Sequence, residues 1–271
     1  MIGETPFVHD VDWLRLKQGM LEIAAAEVMS RFHHVRATLK PDGSLVTEAD
    51  NAMQQAMESF LGEYWPQYAF LGEESTCQVQ DEALLRKGGC WILDPLDGTT
   101  NFSHGFEMFS VSLALLVGGE VVLGLVLDPL RGELFAARRG KGAERDGLPL
   151  RIGTVPESLG ACLALVDFKR LPDGLAASMA VHPPYASQRN LGTVALDWCW
   201  LAAGRADIYL HGGQKLWDYA AGHLIFSEAG GVACTLEREP VPVLDIRPRS
   251  AVAAGNEGLL DAWLEAIEKA S

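Results

Sequence analysis

The chain has 271 residues, 48% of them apolar and 21% charged, with 22 Lys+Arg against 36 Asp+Glu and a formal net charge of −14. A chain of this size and apolarity buries a large core, which excludes disorder, and an acidic balance without any Lys/Arg run excludes the usual basic footprint for nucleic acid. So many carboxylates repel one another unless some of them are placed to hold cations.

The N-terminal MIGETPFVHD has neither a basic nor an apolar leader region, so no secretory signal is expected and the compartment expected is cytoplasmic. Residues 11–31 carry apolar positions at Leu14, Leu21, Ala25 and Val28, helical spacing among charges. Thr47-Glu48-Ala49-Asp50 is a capping-box pattern that predicts a second helix through Met53, Met57 and Phe60, stopped by Pro66. Short apolar runs follow and predict strands at Tyr68–Leu71, Cys90–Leu93, Phe109–Val117 and Val121–Leu127. Gly118-Gly119 between the last two supplies the positive φ of a tight antiparallel hairpin, and interrupts an apolar stretch too short to span a membrane. Leu148–Gly160 reads as a seam, beyond which strands (Cys162–Val166, Ala206–Leu210) alternate with helices (about 192–204, 217–229 and 257–269). One compact unit with two lobes, about 1–150 and 151–271, is the expected organisation. Five cysteines (Cys77, Cys90, Cys162, Cys199, Cys234), odd in number and without a CxxC, read as buried reduced thiols. Trp13, Trp65, Trp198, Trp200 and Trp263 read as core or interface aromatics.

The segment Cys90-Trp91-Ile92-Leu93-Asp94-Pro95-Leu96-Asp97-Gly98-Thr99-Thr100-Asn101-Phe102 carries the chemistry. A strand delivers two carboxylates at its exit, a geometry suited to a cation, and the small residues Gly98, Thr99 and Thr100 follow, whose amides can cradle a phosphate. A DxxD by itself is most often a turn or a helix cap. Two further acidic features stand at the ends of apolar elements: Gly72-Glu73-Glu74-Ser75, which alone reads as a solvated loop, and Trp217-Asp218, whose acid alone complements a helix dipole.

Together these residues resemble the inositol monophosphatase family of magnesium-dependent, lithium-sensitive phosphatases. Asp94 to Phe102 is similar to its first signature and Trp217-Asp218-Tyr219-Ala220-Ala221-Gly222 to its second, with Leu45–Asp50 and Gly72–Ser75 at family spacing upstream. The resemblance covers nearly the whole chain and implies an α+β fold, a layered α-β-α-β-α sandwich, and a homodimer. It implies a first Mg²⁺ held by Glu73, Asp94 and the carbonyl of Leu96, a second by Asp94, Asp97 and Asp218, and a looser third near Glu73. Oxygen-only donors suit such a hard cation. It further implies that Thr99 and Asp50, with Glu73, orient the attacking water, although the Thr47 capping box alone also explains an acid at Asp50.

The expected substrate is a small phosphorylated metabolite, inositol 1-phosphate or another polyol or sugar phosphate, contacted by Asp97, Gly98, Thr99, Thr100, His211 and Asp218. His211 departs from the resemblance, which implies an acid seven positions before the second-signature Asp; a neutral imidazole there tolerates a second anionic group. Lys215 and Arg189 are cations that such a group could meet, while Lys40, His33 and His34 are expected on the surface. Fructose 1,6-bisphosphate, histidinol phosphate, phosphoadenosine phosphate and NADP remain alternative substrates. A catalytically silent metal- or phosphate-binding interaction protein is the rival of another class.

Overall fold

Asp10–Glu27 forms the first helix, α1, with Trp13, Leu16, Met20 and Ala24 buried at helical spacing. The computed structural model describes residues 10–34, 37–40, 43–86, 88–241 and 245–271. The helix predicted to reach residue 31 ends earlier, because Met29–Arg31 tightens into a 3-10 turn and His33 takes a left-handed backbone. A ribbon of β1 (Thr38–Leu39) and β2 (Leu45–Val46) leads into α2 (Glu48–Tyr64). Its start is the predicted one: the Ala49 N–H donates to Thr47 Oγ1 at 3.2 Å and the Thr47 N–H to Asp50 Oδ2 at 2.8 Å.

Next come β3 (Ala69–Gly72), α3 (Cys77–Leu84), β4 (Cys90–Asp97), α4 (Thr99–Ser103), β5 (Ser110–Val117), β6 (Glu120–Asp128), β7 (Glu133–Arg138), β8 (Ala143–Arg145) and β9 (Leu148–Leu150). The strands β3 to β9 form one sheet in chain order, with β3 parallel to β4 and the remaining neighbours antiparallel. The β5–β6 hairpin turns through Gly118 and Gly119, both at positive φ. The second sheet takes its strands from β10 (Leu163–Asp167), β11 (Ser187–Arg189), β12 (Ile208–Gln214), β13 (Val232–Cys234) and β14 (Arg249–Ala254), interleaved with α5 (Asp173–Val181), α6 (Val194–Ala202), α7 (Leu216–Glu228) and α8 (Glu257–Ala270). Its order is β11-β10-β12-β14-β13, with β10 parallel to both its neighbours and β14 antiparallel to both of its own. The strand predicted at 206–210 starts at Ile208 and continues through Gly212-Gly213, where the ladder slips instead of turning.

Side-chain alternation sorts these elements into five layers. Trp91, Leu93, Leu113 and Leu125 pack with Trp13, Met20, Met53 and Met57, so α1 and α2 cover one face of the first sheet. Ile92, Ala114 and Val126 point the other way onto α6 and α7, whose far side meets Tyr209, Ala251 and Ala253 of the second sheet. Ala164, Ile208 and Val252 leave that sheet on its outer face and pack with Leu175 and Met179 of α5 and Leu259 and Trp263 of α8. This is the expected α-β-α-β-α sandwich. Trp13, Trp65, Trp198 and Trp263 are buried and Trp200 packs against the core. All five cysteines are free; Cys90, Cys162 and Cys199 are buried, but Cys77 is exposed at the start of α3, contrary to its expected burial.

Candidate active site

Strict alternation along β4 would put Asp94 and Asp97 on opposite faces of the sheet, since they are three residues apart. They are not opposed. The ladder pairs Asp94 with Ser112 and Asp97 with Ser110, three steps on β4 against two on β5, a bulge at Pro95-Leu96. Proline suits a bulge because it has no N–H to donate. The extra residue turns Leu96 into the core beside α1 and α2 and leaves Asp97, like Asp94, toward α6 and α7. The acids were expected beyond the strand; they lie in its last four residues.

Each carboxylate is anchored. Asp94 Oδ1 accepts from the Leu96 N–H at 3.0 Å. Asp97 Oδ2 accepts from Thr193 Oγ1 and from the Ala195 N–H, both at 2.7 Å, which staples β4 to the start of α6. Asp218, in the first turn of α7, accepts from the Lys215 N–H at 2.8 Å. Glu73 follows β3, whose pairing with β4 extends to a Glu73 N–H to Leu93 O bond of 3.0 Å. Its carboxylate meets Lys40 Nζ at 3.1 Å, and the same ammonium lies 2.5 Å from Glu74. Lys40, expected on the surface, therefore belongs to the site; the separation of 33 positions between the partners hides the pairing from a reading by spacing.

Burial and mutual repulsion push these acids up together. Burial raises Glu73 to about 7, with Lys40 opposing and Glu74 adding to the rise. Asp97 rises to about 6 through burial, held back by its bonds to Ala195 and Thr193. Asp94 stands well above the usual carboxylate range through burial and the charges of Glu73, Asp97 and Asp218; Asp218 does so through burial, Asp97 and Glu73.

Asp50 has two duties at once. Oδ2 closes the cap on α2, accepting from Thr47 N and Thr47 Oγ1, while Oδ1 lies 3.1 Å from Thr99 Oγ1. Thr99 Oγ1 is also 3.0 Å from the Leu96 carbonyl. Gly98 precedes it at φ 93°, and a Cβ there would stand 3.0 Å from Met108 O, so glycine satisfies both the turn and the space. Thr100 is exposed at the start of α4.

His211 does not face a ligand as expected. It is 3% exposed, its Nδ1 lies 3.1 Å from the Gly213 N–H and its Nε2 lies 3.3 Å from Asp167 Oδ2, so both ring nitrogens are engaged within the protein. Asp167 went unremarked in the sequence, though it ends an apolar run just as Asp94 does. Asp197, in α6, is buried with Oδ1 lacking a partner, and burial and the charges of Asp97 and Asp167 raise it. Arg189 is exposed and bonded to Ser187 and Gln188, Lys215 lies over the Trp217 ring, and His34 is exposed. His33 packs on Phe32 and beside Gly105.

A hard divalent cation fits the chemistry of this donor set: all oxygen, and four coupled acids with Lys40 as a single ion-paired ammonium at Glu73. Among the described residues no three acidic, histidine or cysteine side chains form a ready-made ion site, although Asp94, Asp97 and Asp218 lie near enough to feel one another's charge. Like charges in a buried site repel, and each of the three turns an oxygen to a protein N–H instead. Among the described residues no helix is long and apolar enough to cross a membrane.

Comparison with known proteins agrees with the fold. The chain is 38% identical to the Nus factor SuhB of Pasteurella multocida over 213 residues, 77% of this chain and 78% of that one. It is 34% identical to Inositol monophosphatase 1 of Solanum lycopersicum over 253 residues, 90% of each. The crystal structure of the extragenic suppressor protein suhB from Bartonella henselae superposes with a TM-score of 0.83 at 28% identity, covering 96% of this chain and all of that one. Residues 12–271 match the family described as "Inositol monophosphatase family", and the chain belongs to that family of phosphatases.

Proposed function

We propose that the protein hydrolyses a small polyol or sugar phosphomonoester with Mg²⁺, releasing inorganic phosphate. The observation that supports this most is the approach of Glu73, Asp94, Asp97 and Asp218, from β3, β4 and α7, beside the Thr99–Asp50 pair. Glu73, Asp94 and the Leu96 carbonyl would hold one Mg²⁺, and Asp94, Asp97 and Asp218 a second. When bound, Mg²⁺ supplies charge neutralisation for the phosphate, a lowered water pKa and a partner for the leaving alkoxide.

The chain's own groups do the rest. Asp50, fixed by the α2 cap, accepts from Thr99 Oγ1 and so leaves that oxygen's lone pairs to accept a hydrogen bond from the attacking water, whose proton can pass through Thr99 as the hydroxyl hands its own to Asp50. Lys40 holds Glu73 in place until the cation arrives. The first amides of α4 have no carbonyl one turn earlier to bond and suit the phosphoryl oxygens. Phosphate release from inositol 1-phosphate that depends on Mg²⁺ and is lost on Asp94→Asn or Asp218→Asn, with circular dichroism unchanged, is the expected result. Release indifferent to a chelator would end the metal reading.

A second reading draws on the name Nus factor carried by the Pasteurella relative: an interaction protein that keeps the fold. It predicts a melting temperature raised by Mg²⁺ and phosphate with no ester hydrolysed. The unit is proposed to be a homodimer, which light scattering tests directly.

A further inference from the structure

The buried histidine at position 211 has an internal partner, Asp167, where a contact with substrate is expected, and that partner is the more exposed of the two. His211 and Asp167 are register partners on the adjacent parallel strands β12 and β10. Beyond His211, β12 passes through its bulge into Lys215 and Asp218, and that bulge is pressed against the turn after Asp167: a Cβ on Gly212 would come within 1.7 Å of Arg170 O, and Arg170 reaches Gly213 O at 3.3 Å. The position of Asp167 is thereby tied to that of Asp218.

The hydrogen bonds settle which atom faces which. A backbone N–H can only donate, so Nδ1 of His211 accepts from Gly213 and the ring proton sits on Nε2, directed at Asp167 Oδ2. Asp167 Oδ1 accepts from the Lys169 N–H at 2.9 Å. Two of about four acceptor positions on the carboxylate are then filled and two remain. The Asp167 side chain keeps 19% of its surface exposed against 4% for His211, so of the pair Asp167 is the one a ligand can touch. Its neighbourhood is that of the acid cluster, since Asp197 feels the charges of both Asp97 and Asp167 and Asp97 feels His211.

We propose that Asp167, oriented by His211, is the residue that recognises the leaving alcohol: its two free acceptor positions take hydroxyl protons, and its charge turns away substrates bearing a second anionic group. Burial would raise Asp167, but the hydrogen bonds from His211 and the Lys169 N–H, with the charge of Arg170, outweigh it and hold the carboxyl below its usual range, so it is anionic at neutral pH. Arg170 and Lys169 are the cations alongside, and neither fills the two free positions. His211 is a positioning residue in this scheme. The preferred substrate is the monophosphate of an otherwise neutral, polyhydroxylated alcohol. This rests on the phosphomonoesterase reading and narrows it: an imidazole at 211 by itself predicts tolerance of bisphosphates, whereas the pair predicts their rejection.

The test compares inositol 1-phosphate with phenyl phosphate, whose leaving group has no further hydroxyl, and with fructose 1,6-bisphosphate, all with Mg²⁺. For Asp167→Ala and the near-isosteric Asp167→Asn, the ratio of kcat/KM for inositol 1-phosphate to that for phenyl phosphate should fall at least tenfold, chiefly through KM, while the relative rate on the bisphosphate rises. His211→Phe should lower the ratio in the same direction, and His211→Gln, whose amide can still donate to Asp167, should lower it less. A ratio within twofold of wild type in both Asp167 variants, or an equal loss on all three esters, overturns the assignment while leaving the phosphatase reading intact. Absence of phosphate release from every ester by the wild-type protein overturns the phosphatase reading itself, and this inference with it.

Discussion

The acid cluster makes stability and cation binding functions of pH in a calculable way. Glu73 rises from 4.5 to about 7 and Asp97 from 3.8 to about 6 on folding, so each binds its proton more tightly in the folded chain. Between those limits the unfolded chain holds fewer protons, and the contribution to stability is present at low pH and lost as pH climbs through about 6 to 7. At about 1.4 kcal/mol per pH unit each shift is worth about 3 kcal/mol. The two share one cluster and titrate as a unit, so the net loss stays near one such step. For a chain of this length a change of about 3 kcal/mol moves the melting temperature by about 5 °C. His223, packed against Trp198 and held by burial at about 4, acts in the opposite sense, gaining stability from about pH 4 to 6.5. The measurement must therefore be a difference. Melting temperatures are taken with excess Mg²⁺ and with EDTA from pH 5 to 7.5; the His223 contribution cancels, and the gap should widen by about 5 °C toward the higher pH, where the cation replaces the missing protons. A gap that is constant or narrows as pH rises would refute the argument that these carboxylates are buried against one another.

Asp50→Asn should lower kcat by about 10²-fold or more and, through the weakened cap on α2, cost about 1 kcal/mol of stability; full turnover at saturating Mg²⁺ would confine Asp50 to its capping duty. Gly212→Ala forces a methyl into Arg170 O and should cost about 2 kcal/mol or more, seen as a melting temperature lower by several degrees, and wild-type melting would show that the β12 bulge is not locked to the turn after β10.

Much of the molecule could be read from residue spacing. The α2 cap, the glycine hairpin and the short apolar runs of β4 to β6 are local signals, and local signals survive folding. The strands β8, β9, β11 and β13 have three residues each, too few for a period to show, and β7 (ELFAAR) and β14 (RSAVAA) are rich in alanine, which carries little strand preference. At the site, residue types were legible and their arrangement was not. The bulge at Pro95-Leu96 decides which face Asp97 takes, and a bulge is a property of two strands together. The role of His211 turns on a register partner in another strand, and that of Lys40 on a pairing across a loop; neither leaves a mark on its own neighbours in the chain.

The staple from Asp97 to Thr193 and Ala195 has a consequence for how the protein is made. Asp94 and Asp97 leave the ribosome on β4, whereas their cover, α6 and α7, lies about a hundred residues downstream. Until then both carboxylates stay hydrated and repel one another through water. Assembly of the like-charged cluster therefore waits for α6 and α7, whose hydrophobic closure over the first sheet is there to drive it. Released before α7 is complete, a nascent chain would be a folded sheet with no site.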